Sequence, residues 1–198
     1  GTSNTWVDQS YPTTFSTLAV TGNITAGNLS VSTGTVTLGN IVNANGNGVG
    51  NIGSSSLYFN TVFAKATSAQ YADLAEMYVA DQDYPAGTVV EFGGNFEITA
   101  TTQSHTTRIA GVVSTNPSYL MNSTLVGEYV LPIALTGRVP CKVVGTIRKG
   151  DRLVSSDLPG VAQALNVDLY QPGCIVGKAL AEYNSTEPGV IEVAVGRS

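Results

Sequence analysis

From Gly1 to Ala64 the chain carries one charged side chain, Asp8. A tract this poor in charge either stays an unstructured linker or shares its apolar groups with something else. Spaced β-branched and aliphatic residues argue for the second course. Leu18-Ala-Val20, Leu29-Ser-Val31 and Val36-Thr-Leu38 each place two apolar side chains on one face, the period-two pattern of a strand. Gly-Asn followed by Ile or Leu recurs between them at Gly22, Gly27, Gly39 and Gly50, and both residue types tolerate the positive φ of tight turns. Strands this short bury too little apolar surface to offset the entropy of ordering them. Three copies wound about a common axis would share a thin seam of Leu, Ile and Val. Charges near such an axis would meet their own copies and repel, which accounts for their absence. The alternative on composition alone is a flexible Gly/Ser/Thr linker.

The second half reads differently. Pro85-Ala-Gly87, Gly93-Gly-Asn95, Leu158-Pro-Gly160, Gln171-Pro-Gly173 and Glu187-Pro-Gly189 are turn signals. Between them lie strand candidates over 88–92, 96–99, 109–114, 129–136, 138–144, 152–154, 174–179 and 190–195. Short strands at this spacing predict a β-barrel or sandwich able to build its own core. Val112-Val113 and Val143-Val144 read as strands buried on both faces. The fold class expected is therefore all-β: a trimeric intertwined β stalk over 1–64, a connecting segment over 65–80, and a compact β domain over 81–198. The cluster Leu57-Tyr-Phe59 with Val62-Phe63 is expected to plug the end of the fibre core. In the connecting segment Tyr71, Leu74, Ala75 and Tyr78 fall at i, i+3, i+4 and i+7, the stripe of a short helix, although Ala72, Leu74 and Glu76 to Val79 also permit an extended chain.

Several function classes lose support at once. Net charge is −5 with no basic patch, against nucleic-acid binding. No apolar run reaches the roughly 20 residues that span a bilayer as a helix, so no membrane insertion is expected. Cys141 and Cys174 have no CxxC spacing and read as two buried small hydrophobes. His105 is the single histidine, with no GxSxG elbow and no metal set beside it, and is expected to make a structural hydrogen bond. Glycine-rich Gly46-Asn-Gly-Val-Gly50 lacks the Lys-Ser/Thr of a phosphate loop. No cofactor and no metal are expected. The chain opens on Gly1 and is expected to continue a longer product upstream.

The run from Gly53 through Glu76 (GSSSLYFNTVFAKATSAQYADLAE) resembles the junctions of phage tail fibre proteins, where a trimeric stalk passes into a terminal domain. Tyr71-Ala-Asp-Leu-Ala-Glu-Met-Tyr78, Arg108-Ile-Ala-Gly-Val-Val-Ser-Thr-Asn-Pro117 and Leu135-Thr-Gly-Arg-Val-Pro140 resemble, in order and approximate spacing, the self-cleaving intramolecular chaperone domain of phage neck appendage (tailspike) proteins. That second resemblance implicates acids near the start of the domain in self-cleavage, and the matching positions are Asp73 and Glu76. On a helix, acids at i and i+3 would share a face, where one carboxyl with a raised pKa could protonate a leaving amine. The plainer reading is a pair of solvated charges, or partners for Lys65 or Arg108.

Taken together, the sequence reads as a structural virion protein and not an enzyme: a homotrimeric phage fibre or tail appendage acting in host attachment. Its expected partners are two further copies, virion proteins upstream of Gly1, and a host-surface receptor or glycan. Two alternatives stand beside it. One is an autoproteolytic chaperone domain that assembles the trimer. The other is a carbohydrate-binding adhesin fragment, with Tyr119, Tyr170 and Tyr183 available to stack sugars.

Overall fold

The computed structural model describes residues 35–43, 49–54, 56–64, 68–69 and 72–196. By contact density the chain divides into two units, Gly1–Val62 and Phe63–Ser198.

In the first unit the strand candidates Leu18-Ala-Val20 and Leu29-Ser-Val31 lie outside the described residues. Val36-Thr-Leu38 is described and forms no strand; Val36 and Leu38 are exposed. The reason is pairing: a strand exists only through the ladder it makes with a neighbour. The Leu57–Phe63 cluster is likewise uncovered in the single chain, with Leu57 79% and Phe63 96% exposed.

The second unit is all-β, with no α-helix among the described residues. Its strands are β1 (Asp73–Val79), β2 (Val89–Phe92), β3 (Ile98–Ala100), β4 (Ile109–Val113), β5 (Tyr119–Met121), β6 (Val130–Ile147), β7 (Arg152–Ser155), β8 (Ala162–Ala164), β9 (Ile175–Ala179) and β10 (Tyr183–Val195). One 3-10 turn, Val167–Leu169, follows β8. The C-terminal half of β6 pairs with β8 and β10, and β8–β7–β9–β10 completes a closed five-stranded barrel. The N-terminal half of β6 pairs with β1 and β4, and β4 continues through β2 to β3. A bridge between Ala80 and Ile98 joins β3 back to the end of β1, so this half is also a ring. β6 belongs to both rings.

Two cores follow. Val139, Cys141, Val143, Leu153, Val176 and Val193 fill the five-stranded barrel, while Val90, Ile98, Val113, Leu131 and Ile133 fill the second ring. β2 and β4 are the wall between them. Val89 and Val112 face one core; their neighbours Val90 and Val113 face the other. The Val-Val pairs thus mark strands buried on both faces, as alternation on a pleat requires. Val143 fits that pattern, but Val144 is only partly buried. The positive φ of Gly160 (68°) and Gly173 (93°) places each after a proline in a tight turn, with Val161 N–H on Leu158 O and Cys174 N–H on Gln171 O. Glu187-Pro-Gly189 is no such turn. It is a bulge in β10, where residues 186–188 have no partner on β6.

The helical stripe expected through Tyr71–Tyr78 is not a helix over its described part. Asp73–Val79 is an extended strand, inserted between β5 and β6. Pairing on both sides gives this segment more hydrogen bonds than an isolated two-turn helix provides, so tertiary context decides its conformation.

Candidate functional site at the start of β1

The strand conformation separates the two acids that sequence placed together. Side chains alternate along β1: Asp73 and Ala75 are buried, while Leu74 and Glu76 are partly exposed on the opposite face. Asp73 and Glu76 therefore share no face, and the paired-acid geometry of a helix is absent.

Asp73 is not a solvated charge either. It is 3% exposed, and its Oδ2 accepts a 2.6 Å hydrogen bond from the Ser114 hydroxyl, itself 4% exposed. The Asp73 carbonyl oxygen accepts twice from Ser118, from the N–H at 2.9 Å and the hydroxyl at 2.7 Å. The preceding carbonyl, of Ala72, accepts from Arg138 N–H at 3.3 Å. Opposite Asp73 in the ladder stands Gly137, with φ +116°. A Cβ there would sit 2.2 Å from Ala72 O and 2.5 Å from Asp73 Cα. Only glycine lets β6 approach the chain this closely. The three segments Tyr71–Tyr78, Arg108–Pro117 and Leu135–Pro140 thus converge: Asp73 from the first, Ser114 from the second, Gly137 from the third.

Glu76 works on the other face. Its Oε2 accepts from the Tyr78 hydroxyl at 2.8 Å. Desolvation, then that hydrogen bond, pushes the Tyr78 phenol up to about 12. Glu97 Oε2 takes the Val79 N–H at 2.7 Å. Arg108 pairs with neither Asp73 nor Glu76. It binds Glu91 Oε1 at 2.5 Å, and the other Glu91 oxygen is buried with no partner among the described residues. Lys65 lies outside the described residues.

Chemically, a buried carboxylate holding a serine hydroxyl is half of an acid–base arrangement. The second half, a proton donor on the same side of the same peptide bond, is not supplied by Glu76. The hydrogen bonds to Asp73 fix the strand where it enters the domain.

His105 is buried at φ +59°. Its Nε2 accepts from Asn166 N–H at 3.2 Å and its Nδ1 lies 2.6 Å from Ser104 Oγ. An accepting Nε2 puts the neutral ring's proton on Nδ1, which donates to Ser104, so the imidazole is not placed to take the serine's proton. It latches the 102–108 loop to the segment after β8. A shallow pocket of about 360 Å³ opens beside it, lined by Gln103, Thr107, Arg108 and Gln171 among others. Cys141 and Cys174 are free and buried, and burial pushes the Cys141 thiol up to about 12. Tyr119, Tyr170 and Tyr183 stand on β5, after the 3-10 turn, and on β10; Tyr183 is spent on Glu187 O and covers Gly189. Among the described residues no group of three or more His, Cys, Asp or Glu is placed to hold a metal ion.

Ser114 ends the strand expected over 109–114, with no further role expected of it; Gly137 falls between the strands expected over 129–136 and 138–144, where a bend or bulge is expected and not a point of close approach. The signal was the company they keep, a serine just past a doubly buried strand and a glycine between two strand candidates. Comparison with protein-family models and with curated proteins returned no match for this chain.

Proposed function

We propose that this chain is a homotrimeric structural protein of a phage fibre or tail appendage, acting in host attachment. One observation carries the reading. Every described residue from 35 to 64 is exposed, and eleven large apolar side chains among them, from Val36 to Phe63, face solvent. Covering such side chains is worth about 1.5–3 kcal/mol apiece, and a single chain forgoes it. Association of uncharged tracts around an axis recovers it without bringing like charges together. The compact unit has two cores of its own, although it too leaves large apolar side chains such as Tyr119, Val126 and Val167 exposed.

Sedimentation equilibrium of the full chain tests this. A mass of three times 20.5 kDa is expected. A folded monomer at micromolar concentration refutes it.

A second reading, self-cleavage by an intramolecular chaperone, draws support from the convergence of three segments on the buried Asp73. It loses support from Glu76, which faces the other way. Intact mass after prolonged incubation separates the two: an uncut chain is expected of the structural protein, and a cut beside Asp73 of the chaperone.

A further inference from the structure

The fold closes nearly all of its edges. β1, β2, β4, β7, β8 and β9 each have neighbours on both sides, and β3 is covered by β2 and by the Ala80 bridge. The ends of β6 and β10 run on as a two-stranded ribbon in which Tyr183 to Ile191 pair with β6 alone, and that edge of β10 carries Glu187, Pro188 and the bulge. β5 is open along its whole length: it pairs on one side, with β1, through Leu74–Tyr119, Ala75–Leu120 and Glu76–Met121. Its other edge presents unpaired backbone.

Open edges are ordinarily protected by charge, proline or a bulge. The three residues of β5 include no charge, no proline and no bulge, and Pro117 stands two positions before them. From Ile109 to Gly127 the chain contains no Asp, Glu, Lys, Arg or His. Tyr119 is 62% exposed, Leu120 38% and Val126 89%. An open, uncharged, apolar edge is a template for an added strand.

The same chain carries a segment with matching properties. Residues 56–64 hold no charge, no proline and no glycine, and they offer Tyr58, Phe59, Val62 and Phe63, side chains that favour strands. From Tyr58 to Ala64 no backbone group makes a backbone hydrogen bond among the described residues. Phe63 belongs to the same unit as β5 and is 96% exposed, so the chain's own segment is not seated on its own edge at that residue.

We propose that the β5 edge is where residues 58–63 of a second copy of this chain dock as an added strand. The contact is heterologous, edge to segment, and closes when each of three copies gives its segment to the next. This inference rests on the trimer reading and names the surface that reading requires. Uncharged meets uncharged on both sides of the contact, so neither buries an unpaired charge.

The test uses the full chain with Tyr119→p-benzoylphenylalanine, co-refolded with an isotopically heavy unmodified chain, irradiated and digested. The expected product joins the position-119 peptide to a heavy peptide containing residues 56–64. Cross-links confined to light peptides of the same chain, or to heavy peptides from elsewhere such as a second β5, overturn the proposal. A second variant, Tyr119→Lys with Leu120→Lys, changes only exposed or half-exposed positions. It is expected to raise the concentration at which the trimer dissociates by about tenfold or more, with the near-ultraviolet dichroism of the compact unit retained. An unchanged dissociation concentration also overturns it. A trimer lacking the cross-link sinks this inference alone, whereas an unmodified chain that is monomeric sinks the trimer reading as well.

Discussion

Ser114 Oγ donates to Asp73 Oδ2 across 2.6 Å, tying the residue after β4 to the first residue of β1. Both are buried, so the bond has no competition from water. Removing the acceptor strands a buried hydroxyl, which costs about 1–3 kcal/mol. Asp73→Ala is therefore expected to lower stability by roughly that amount in urea unfolding. Asp73→Asn, which keeps an acceptor oxygen, restores part of it. A double-mutant cycle with Ser114→Ala gives a coupling of about 1 kcal/mol or more. Additivity of the two single changes would show that the pair does not act as a unit.

Gly137 is the most demanding backbone position in the junction. With φ at +116° and a Cβ landing 2.2 Å from Ala72 O, Gly137→Ala forces β6 away from β1. A loss of about 3 kcal/mol or more, or failure to fold, is expected. Gly145, at φ +88° with open space around it, pays only the conformational term. Thermal unfolding of Gly145→Ala should fall by about 1 kcal/mol, and equal losses at the two sites would contradict the close-approach argument.

Glu91 is buried while Arg108, its partner, is 61% exposed. The two ends of this ion pair are therefore unequal. Arg108→Ala leaves a buried carboxylate with neither oxygen satisfied, whereas Glu91→Gln removes the buried charge itself. The arginine substitution is expected to destabilise more than the glutamine one. Chemical denaturation of the two variants side by side checks the order, and the reverse order would mean that Arg108 contributes nothing at this site.

Cys141 links stability to alkaline pH. Its thiol titrates near 9.0 in an unfolded chain and is pushed up to about 12 in the fold, by burial. Between those values the native chain holds a proton that the unfolded chain releases, so stability is complete below the lower value and falls as pH rises toward the upper one. The total loss is on the order of a few kcal/mol. Cys141→Ala is expected to flatten the decline measured by circular dichroism between pH 9 and 12. An identical slope in the variant would place the alkaline sensitivity elsewhere. For the same reason Cys141 should resist iodoacetamide until the barrel opens.

The compact half was legible because its signals are local. Pro159-Gly160 and Pro172-Gly173 specify their own turns, and Val112-Val113 announces burial on two faces, as Val143-Val144 does for its first residue alone. Most strand candidates fall on observed strands for that reason. The expected break between 129–136 and 138–144 is instead one continuous β6, because Gly137 serves close approach and not chain reversal. β1 is ambiguous in the sequence, open to helix and strand alike. Tyr71, Leu74, Ala75 and Tyr78 satisfy the helical period, and only the pairing of Asp73–Val79 with residues some sixty positions away overrides it. Short β5 and β8 carry too few residues to show any period. The relation of Asp73 to Ser114 is a contact across 41 positions, which no spacing rule reaches.

β6 belongs to both rings, and its partners arrive at different times during synthesis. The second ring is complete in sequence once Ile147 has been made, because β1 through β6 supply all of its strands. The five-stranded barrel waits for β10, which ends at Val195. Until that last strand emerges, the C-terminal half of β6 has a built neighbour on one side only, and Val139, Cys141 and Val143 remain open to water. A ribosome stalled before β10 would therefore hold a chain that is half finished in a defined way. Its second ring could close early, while its exposed half-barrel would be the surface that chaperones, or neighbouring nascent chains, meet first.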